Sequence, residues 1–203
     1  MPTHNYPLTD GTKAPGGSTI ANLLEVPALH YWIAKVTREG KDWIEERDSA
    51  GRAGTLAHAL VMSYWTKEEV PVAGYTFEEI GQAYFCYTKF LHCYPERDDL
   101  EIIAIETPII SEELGCGGTP DILARVRSVD KIRRIDVKTG SGIYDTAWYQ
   151  LAGYDLTDKQ KADEHQILWL PKGEGFACPI RTDLRKEKKI FKHLLEIHKL
   201  RRE

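Results

Sequence analysis

The chain of 203 residues has only four cysteines, and no two of them form a CxxC pair. Cys86, Cys93, Cys116 and Cys178 are scattered along the chain. This distribution reads as a reduced, cytoplasmic setting. No apolar run approaches the roughly 20 residues of a membrane span, so no membrane role is expected. The opening stretch, MPTHNYPLTDGTKAPGGS, has neither a basic n-region nor an apolar h-region, which excludes a secretory signal by pattern. There is no internal repeat and no low-complexity segment. Positive charge is not in excess either: the net charge is -4.

What is present is an ordinary globular composition, 42% hydrophobic and 29% charged, at a length that suits one domain with a real core. Residues 1–17 read as a flexible N-terminal arm and 18–203 as a single domain. The charge is unevenly placed. From Arg181 onward the chain carries +5, which leaves -9 for the rest. A basic final helix on an acidic body could follow a phosphate backbone, although charge runs are usually solvated faces.

The first part of the chain reads as helical: 18–36 with a break at Pro27, then 55–65 capped by Thr55 with His58 in its first turn, then 76–94. Between the first two, 39–55 reads as a polar connection. Thr76 and Glu79 have the spacing of a capping box. The pattern then turns to strands. Residues 100–111 read as one Ile-rich strand containing Glu106, and TPDILARVR and KIRRIDVKT as a hairpin turning at SVDK. A helix at 145–156, a second hairpin around PKGEG, and an amphipathic closing helix complete an α/β arrangement with a central mixed β-sheet flanked by helices.

The first hairpin holds the chemistry. Alternate residues of a strand share a face, so Asp136 and Lys138 lie together while Ile135 and Val137 face the core. The neighbouring strand can bring Asp121 across to them. Two carboxylates that close repel unless a cation sits between them. A hard divalent ion removes that penalty, and metal with lysine suits phosphodiester hydrolysis. A DxK alone is more often a surface ion pair.

The constellation carries a resemblance. TPD at 119–121, fifteen residues before DVK at 136–138, resembles the PD-(D/E)xK nuclease superfamily. The remaining motifs resemble its RecB-like branch, with RecB and AddB nuclease domains, Cas4-like proteins and phage recombination exonucleases. GTLAH at 54–58 is similar to the branch's helix-histidine motif and QLAGY at 150–154 to its QxxxY motif, while Glu106 falls where the branch has an acidic residue. The match runs over roughly residues 18–170, with five motifs in order.

The resemblance implies a restriction-endonuclease-like core and one or two Mg²⁺ or Mn²⁺ ions held by His58, Asp121, Asp136, Glu106 and the carbonyl of Val137. Lys138 is implied as the catalytic lysine, with Gln150 and Tyr154 steadying it or the DNA strand. The implied activity is a metal-dependent DNA exonuclease of recombination or repair, of phage or mobile-element type, acting on single- or double-stranded ends. A Cas4-like or restriction-type endonuclease, or a catalytically silent scaffold, are the alternatives. Arg134, on the face of Asp136, is expected to touch phosphate, with Lys188 and Lys189 of the last helix, and Trp148 to stack on an unpaired base. Arg125 and Arg133 are weaker candidates for the same channel. Cas4-like and AddB-like members hold an iron–sulfur cluster on four cysteines; here Val26 precedes Pro27 and only Cys178 lies near the C-terminus, so no cluster is expected. There is no GxxxxGK[ST] loop, so unwinding falls to a helicase or annealing partner. A homo-oligomer is compatible with the pattern.

Overall fold

The computed structural model describes residues 6–24 and 27–201; Val26 lies outside them. The segment 6–17 is not a loose arm. Strands β1 (Tyr6–Pro7) and β2 (Lys13–Ala14) pair antiparallel, and the hairpin is docked on the body. Tyr6 is buried and its hydroxyl meets Thr119 Oγ1 at 3.0 Å, while Gly117 donates its N–H to the Pro15 carbonyl at 3.0 Å.

The first predicted helical region is divided as Pro27 requires, into α1 (Gly17–Ala21) and α2 (Pro27–Arg38). The second differs from expectation. The polar connection and the helix after it form one continuous helix, α3 (Trp43–Thr66), capped by Asp42, whose carboxylate accepts from the N–H of Ile44 at 2.8 Å. Thr55 is not its cap; it lies mid-helix with its hydroxyl donating back to the Gly51 carbonyl at 3.1 Å. His58 is therefore well inside the helix rather than in its first turn. Gly54, inside this helix, serves packing: a Cβ there would come 2.9 Å from Thr139 Oγ1. Helix α4 (Phe77–Cys93) has the expected capping box from Thr76 and Glu79, and a short 3₁₀ turn follows at Pro95–Asp99.

The Ile-rich stretch is likewise two strands rather than one. β3 (Leu100–Ile105) ends before Glu106, and β4 (Ile109–Ser111) leaves to pair with β5 (Cys116–Gly118) in a small separate sheet. Then come β6 (Ile122–Val126), β7 (Lys131–Lys138), α5 (Asp145–Thr157), β8 (Glu164–Trp169), β9 (Ile180–Arg181) and α6 (Arg185–Leu200). The main sheet has the order β3-β6-β7-β8-β9. Its pairs are antiparallel except β7 and β8, which run parallel through the α5 crossover, so the sheet is mixed.

Helices cover both faces. Leu56, Val61 and Phe90 of α3 and α4 pack with Ile122, Ile135, Val137 and Leu168. On the other face Trp148 and Leu151 of α5 pack on Ile167. Helix α6 covers α5, its Phe191 ring filling the space that Gly153 leaves open. Burial of these apolar side chains is the main stabilising term, at about 1.5–3 kcal/mol for each large one. Among the described residues no helix is long and apolar enough to cross a membrane.

Candidate active site

The register of the central hairpin builds the site. Ile122 on β6 faces Ile135 on β7. One step further toward the same end, Asp121 stands beside Asp136, and Asp121 Oδ2 accepts the Val137 N–H at 2.7 Å. Packed on the opposite sheet face, α3 reaches the same place, with His58 Nδ1 3.6 Å from Asp121 Oδ2. Lys138 Nζ lies 2.6 Å from Asp136 Oδ2 and donates to Gln150 Oε1 at 3.2 Å. Gln150 in turn donates to the Tyr154 hydroxyl at 2.6 Å. The i, i+4 spacing puts both on one face of α5, aimed at the strand ends. Six residues separated by nearly a hundred positions thus converge.

Glu106 sits at the rim. It is exposed, in the left-handed region at φ 42°, and its N–H donates to the Asp121 carbonyl at 2.9 Å. A non-glycine residue there is strained, by on the order of 1–3 kcal/mol. The kink takes the chain off β3 and leaves the Glu106 carboxylate close enough to act on the charges of His58 and Asp121.

Burial dominates the electrostatics. It lifts the carboxyls of Asp121 and Asp136 to about 6 against the opposing pull of Lys138, and pushes His58 down to about 4. Burial also opposes charge on Lys138, but Asp136 and Asp121 outweigh it and the ammonium titrates above its ordinary value. Asp136 is 1% exposed, and neither of its carboxylate oxygens receives a well-directed hydrogen bond. A buried carboxylate in that state is costly unless a cation completes its surroundings. Among the described residues no group of three His, Cys, Asp or Glu side chains is arranged to hold an ion. The carboxylate and carbonyl oxygens present are the donor types that fit Mg²⁺ or Mn²⁺, with the His58 imidazole beside them. Asp136 Oδ1, left without a donor while Oδ2 meets the Lys138 ammonium, fits such an ion too.

Three of the expected nucleic-acid contacts are engaged elsewhere. Arg134 shares the face of Asp136 but is fully buried, donating to Asp158 Oδ2 and the Gln160 carbonyl, both at 2.9 Å. Trp148 is 4% exposed and part of the core, with the Arg181 guanidinium 4.1 Å from its ring centroid, so it cannot stack on a base. Lys188 pairs with Asp155 at 2.5 Å. Lys189 is exposed on α6. Of the weaker candidates, Arg133 is buried against Glu164 and Glu96, and Arg125 pairs with Asp130.

Glycines that the motif reading passed over shape the site. A Cβ on Gly118 would meet the Tyr154 ring at 2.4 Å, and one on Gly17 would meet it at 3.1 Å. Tyr154 is thereby held in a slot made by two bare backbones. The run GCGG directly before TPD was the available signal, because a strand interior with adjacent glycines marks close approach.

No family model matches the chain, and no curated protein does. Two solved structures show low similarity. A protein named "Putative exonuclease" from Eubacterium rectale aligns over 73% of this chain at 12% identity, with a TM-score of 0.47. The aligned part spans 65% of that protein's own length. The protein SSO0001 aligns over 73% of this chain and 74% of its own, at 12% identity and a TM-score of 0.36. At such scores neither likeness says anything about what this chain does.

Proposed function

We propose that the chain is a Mg²⁺- or Mn²⁺-dependent nuclease that hydrolyses phosphodiester bonds in DNA, working from ends as an exonuclease. The observation that supports this most is the convergence of His58, Asp121 and Lys138 on the buried Asp136 carboxylate, whose one close cation among the described residues is the Lys138 ammonium at 2.6 Å. His58, Asp121, Asp136 and the Val137 carbonyl would hold the ion, with Glu106 at the open side. The ion, when bound, supplies Lewis-acid stabilisation of phosphate charge and lowers the pKa of its water.

The protein's own groups do the rest. Asp121 is oriented by the Val137 N–H, which fixes the carboxylate relative to the strand end. Lys138 keeps its proton near neutral pH, so it offers a fixed positive charge to the developing phosphate charge rather than acting as a base. Gln150 holds the ammonium and Tyr154 holds Gln150, so the lysine's direction is set two residues deep. Restriction to ends, a role in recombination or repair, and the origin in a phage or mobile element follow the motif resemblance.

The test uses end-labelled linear and covalently closed circular DNA, single- and double-stranded, with Mg²⁺, Mn²⁺ or EDTA. Asp136→Ala and Lys138→Ala proteins run alongside. Degradation of linear DNA alone, lost on chelation and in both variants, is the expected result. Cutting of circles would make it an endonuclease. Absence of cutting by a folded wild type under every metal would overturn the reading.

A further inference from the structure

The sequence leaves open whether paired or unpaired DNA enters this site. A groove of about 760 Å³ is lined in part by Thr139 and Gly140, the residues that directly follow Lys138. Three half-buried aromatic side chains line it: Trp32 of α2, Tyr144 at the start of α5, and Trp169 at the end of β8. Lys172 lines it as well, together with Arg47, which is paired with Asp48 at 2.7 Å, and the acidic Glu174. The groove is tied to the lysine strand. Trp169 donates its indole N–H to the Gly140 carbonyl at 2.8 Å, and Leu170 donates to the Lys138 carbonyl at 2.7 Å. The Tyr144 hydroxyl is fixed by Ser141 at 2.9 Å. Lys172 donates to the Ala50 carbonyl across the groove, which holds its ammonium at the wall.

We infer that this groove is the track for an unpaired DNA strand, its bases stacking on Trp32, Tyr144 and Trp169 as the backbone runs to Lys138. The inference rests on the nuclease reading and adds the substrate class. Three grounds select single-stranded DNA. The groove's lining includes Thr139, the chain neighbour of Lys138, so a strand lying in it ends beside the candidate active site. Its volume is that of a small-ligand cleft, with room for unpaired nucleotides and not for a duplex. Aromatic faces interleaved with cations bind bases only where the base faces are exposed, which pairing prevents. The aromatic role assigned from sequence to the buried Trp148 thus moves to side chains that reach a groove.

The test measures equilibrium binding of the full chain, with Ca²⁺ in place of Mg²⁺, to fluorescent oligo-dT, a blunt DNA hairpin of equal length, and oligo-U. Trp32→Ala, Tyr144→Ala and Trp32→Phe are compared with wild type, each first checked for an unchanged melting transition. Oligo-dT should bind at least about tenfold more tightly than the hairpin, which offers no free base faces. Each alanine variant should lose about 5- to 150-fold on oligo-dT and little on the hairpin. Trp32→Phe should retain most of the affinity, because it keeps a stacking face.

Equal binding of hairpin and single strand, unchanged affinity in both alanine variants, or tighter binding of oligo-U would overturn the inference. The two readings separate cleanly. A wild type that cleaves DNA with a single-strand KM unmoved by Trp32→Ala and Tyr144→Ala keeps the nuclease and loses the groove. A wild type that binds as described but never cleaves loses the nuclease.

Discussion

Asp136→Asn should stabilise the metal-free protein at pH 8 and remove its response to Mg²⁺. A carboxyl that titrates at about 6 in the folded chain and near 4 unfolded is harder to ionise when folded. Below pH 4 it is protonated in both states and contributes no penalty. As pH rises from about 4 to 6 the unfolded state gives up its proton first, and stability falls. Above 6 the loss is complete, about 3 kcal/mol for a difference of this size. Asparagine imitates the neutral carboxyl and so avoids the penalty. It also gives up the contact with Lys138, whose attraction is already included in a value that stays above the ordinary range. The expected gain is about 1–3 kcal/mol at pH 8 without metal, or roughly 2–12 °C in Tm for a chain of this length. At pH 4 the gain should vanish. The assay is thermal denaturation of both proteins at pH 4, 6 and 8, with EDTA and with Mg²⁺. Wild type should gain stability on adding Mg²⁺ at pH 8, and the variant should not. If Asp136→Asn is destabilised at pH 8 in EDTA, the ion pair with Lys138 outweighs desolvation and the reasoning is refuted.

Other perturbations test the surrounding structure. Gly118→Ala would drive a methyl group against the Tyr154 ring, so Tyr154 must leave its slot and release Gln150; stability should fall by about 1–3 kcal/mol and nuclease turnover with it, while Gly115→Ala, a turn position with open space, serves as a strain-only control. Tyr154→Phe removes only the hydroxyl that receives Gln150, and should cost about 1 kcal/mol in a denaturant melt with a larger fractional loss in kcat than in binding. Glu79 accepts from Arg52 Nε at 2.8 Å and from the Thr76 N–H at 3.0 Å, and the arginine first, then the backbone bond, hold its carboxyl down at about 2. Its contribution is complete above the unfolded pKa near 4.3 and is lost as pH falls toward 2, so Glu79→Gln should cost about 1–2 kcal/mol at pH 7 and progressively less below pH 4.

The readability of this chain was uneven for physical reasons. Asp136 and Lys138 were legible because a strand's alternation leaves one answer for which residues share a face. Gln150 and Tyr154 were legible because helical spacing does the same. Arg134 obeys the same alternation, and its face was read correctly, yet its exposure was not. Whether a strand residue meets solvent depends on what lies above it, here the chain around Asp158 and Gln160. Helix α3 is longer than expected because the polar residues before Thr55, which look like a connection, form its first turns. Packing of Gly54 against Thr139 is a tertiary reason no local scale contains. The strand through Glu106 was read as continuous for the converse reason: Ile on both sides favours extension, and the positive φ at Glu106 is imposed by the departure of β4 to a different partner.

The parallel pairing of β7 with β8 has a consequence for how the protein is made. The strand carrying Asp136 and Lys138 is flanked by β6, which precedes it, and by β8, which arrives only after the whole of α5. Lys138 has its carbonyl taken by Leu170, and its side chain is held by a residue of the crossover helix. During synthesis the hairpin of β6 and β7 can close early, because its turn is local, but the Lys138 ammonium meets Gln150 only once α5 has emerged and docked. The emerging chain therefore assembles its acidic cluster before it aims its lysine.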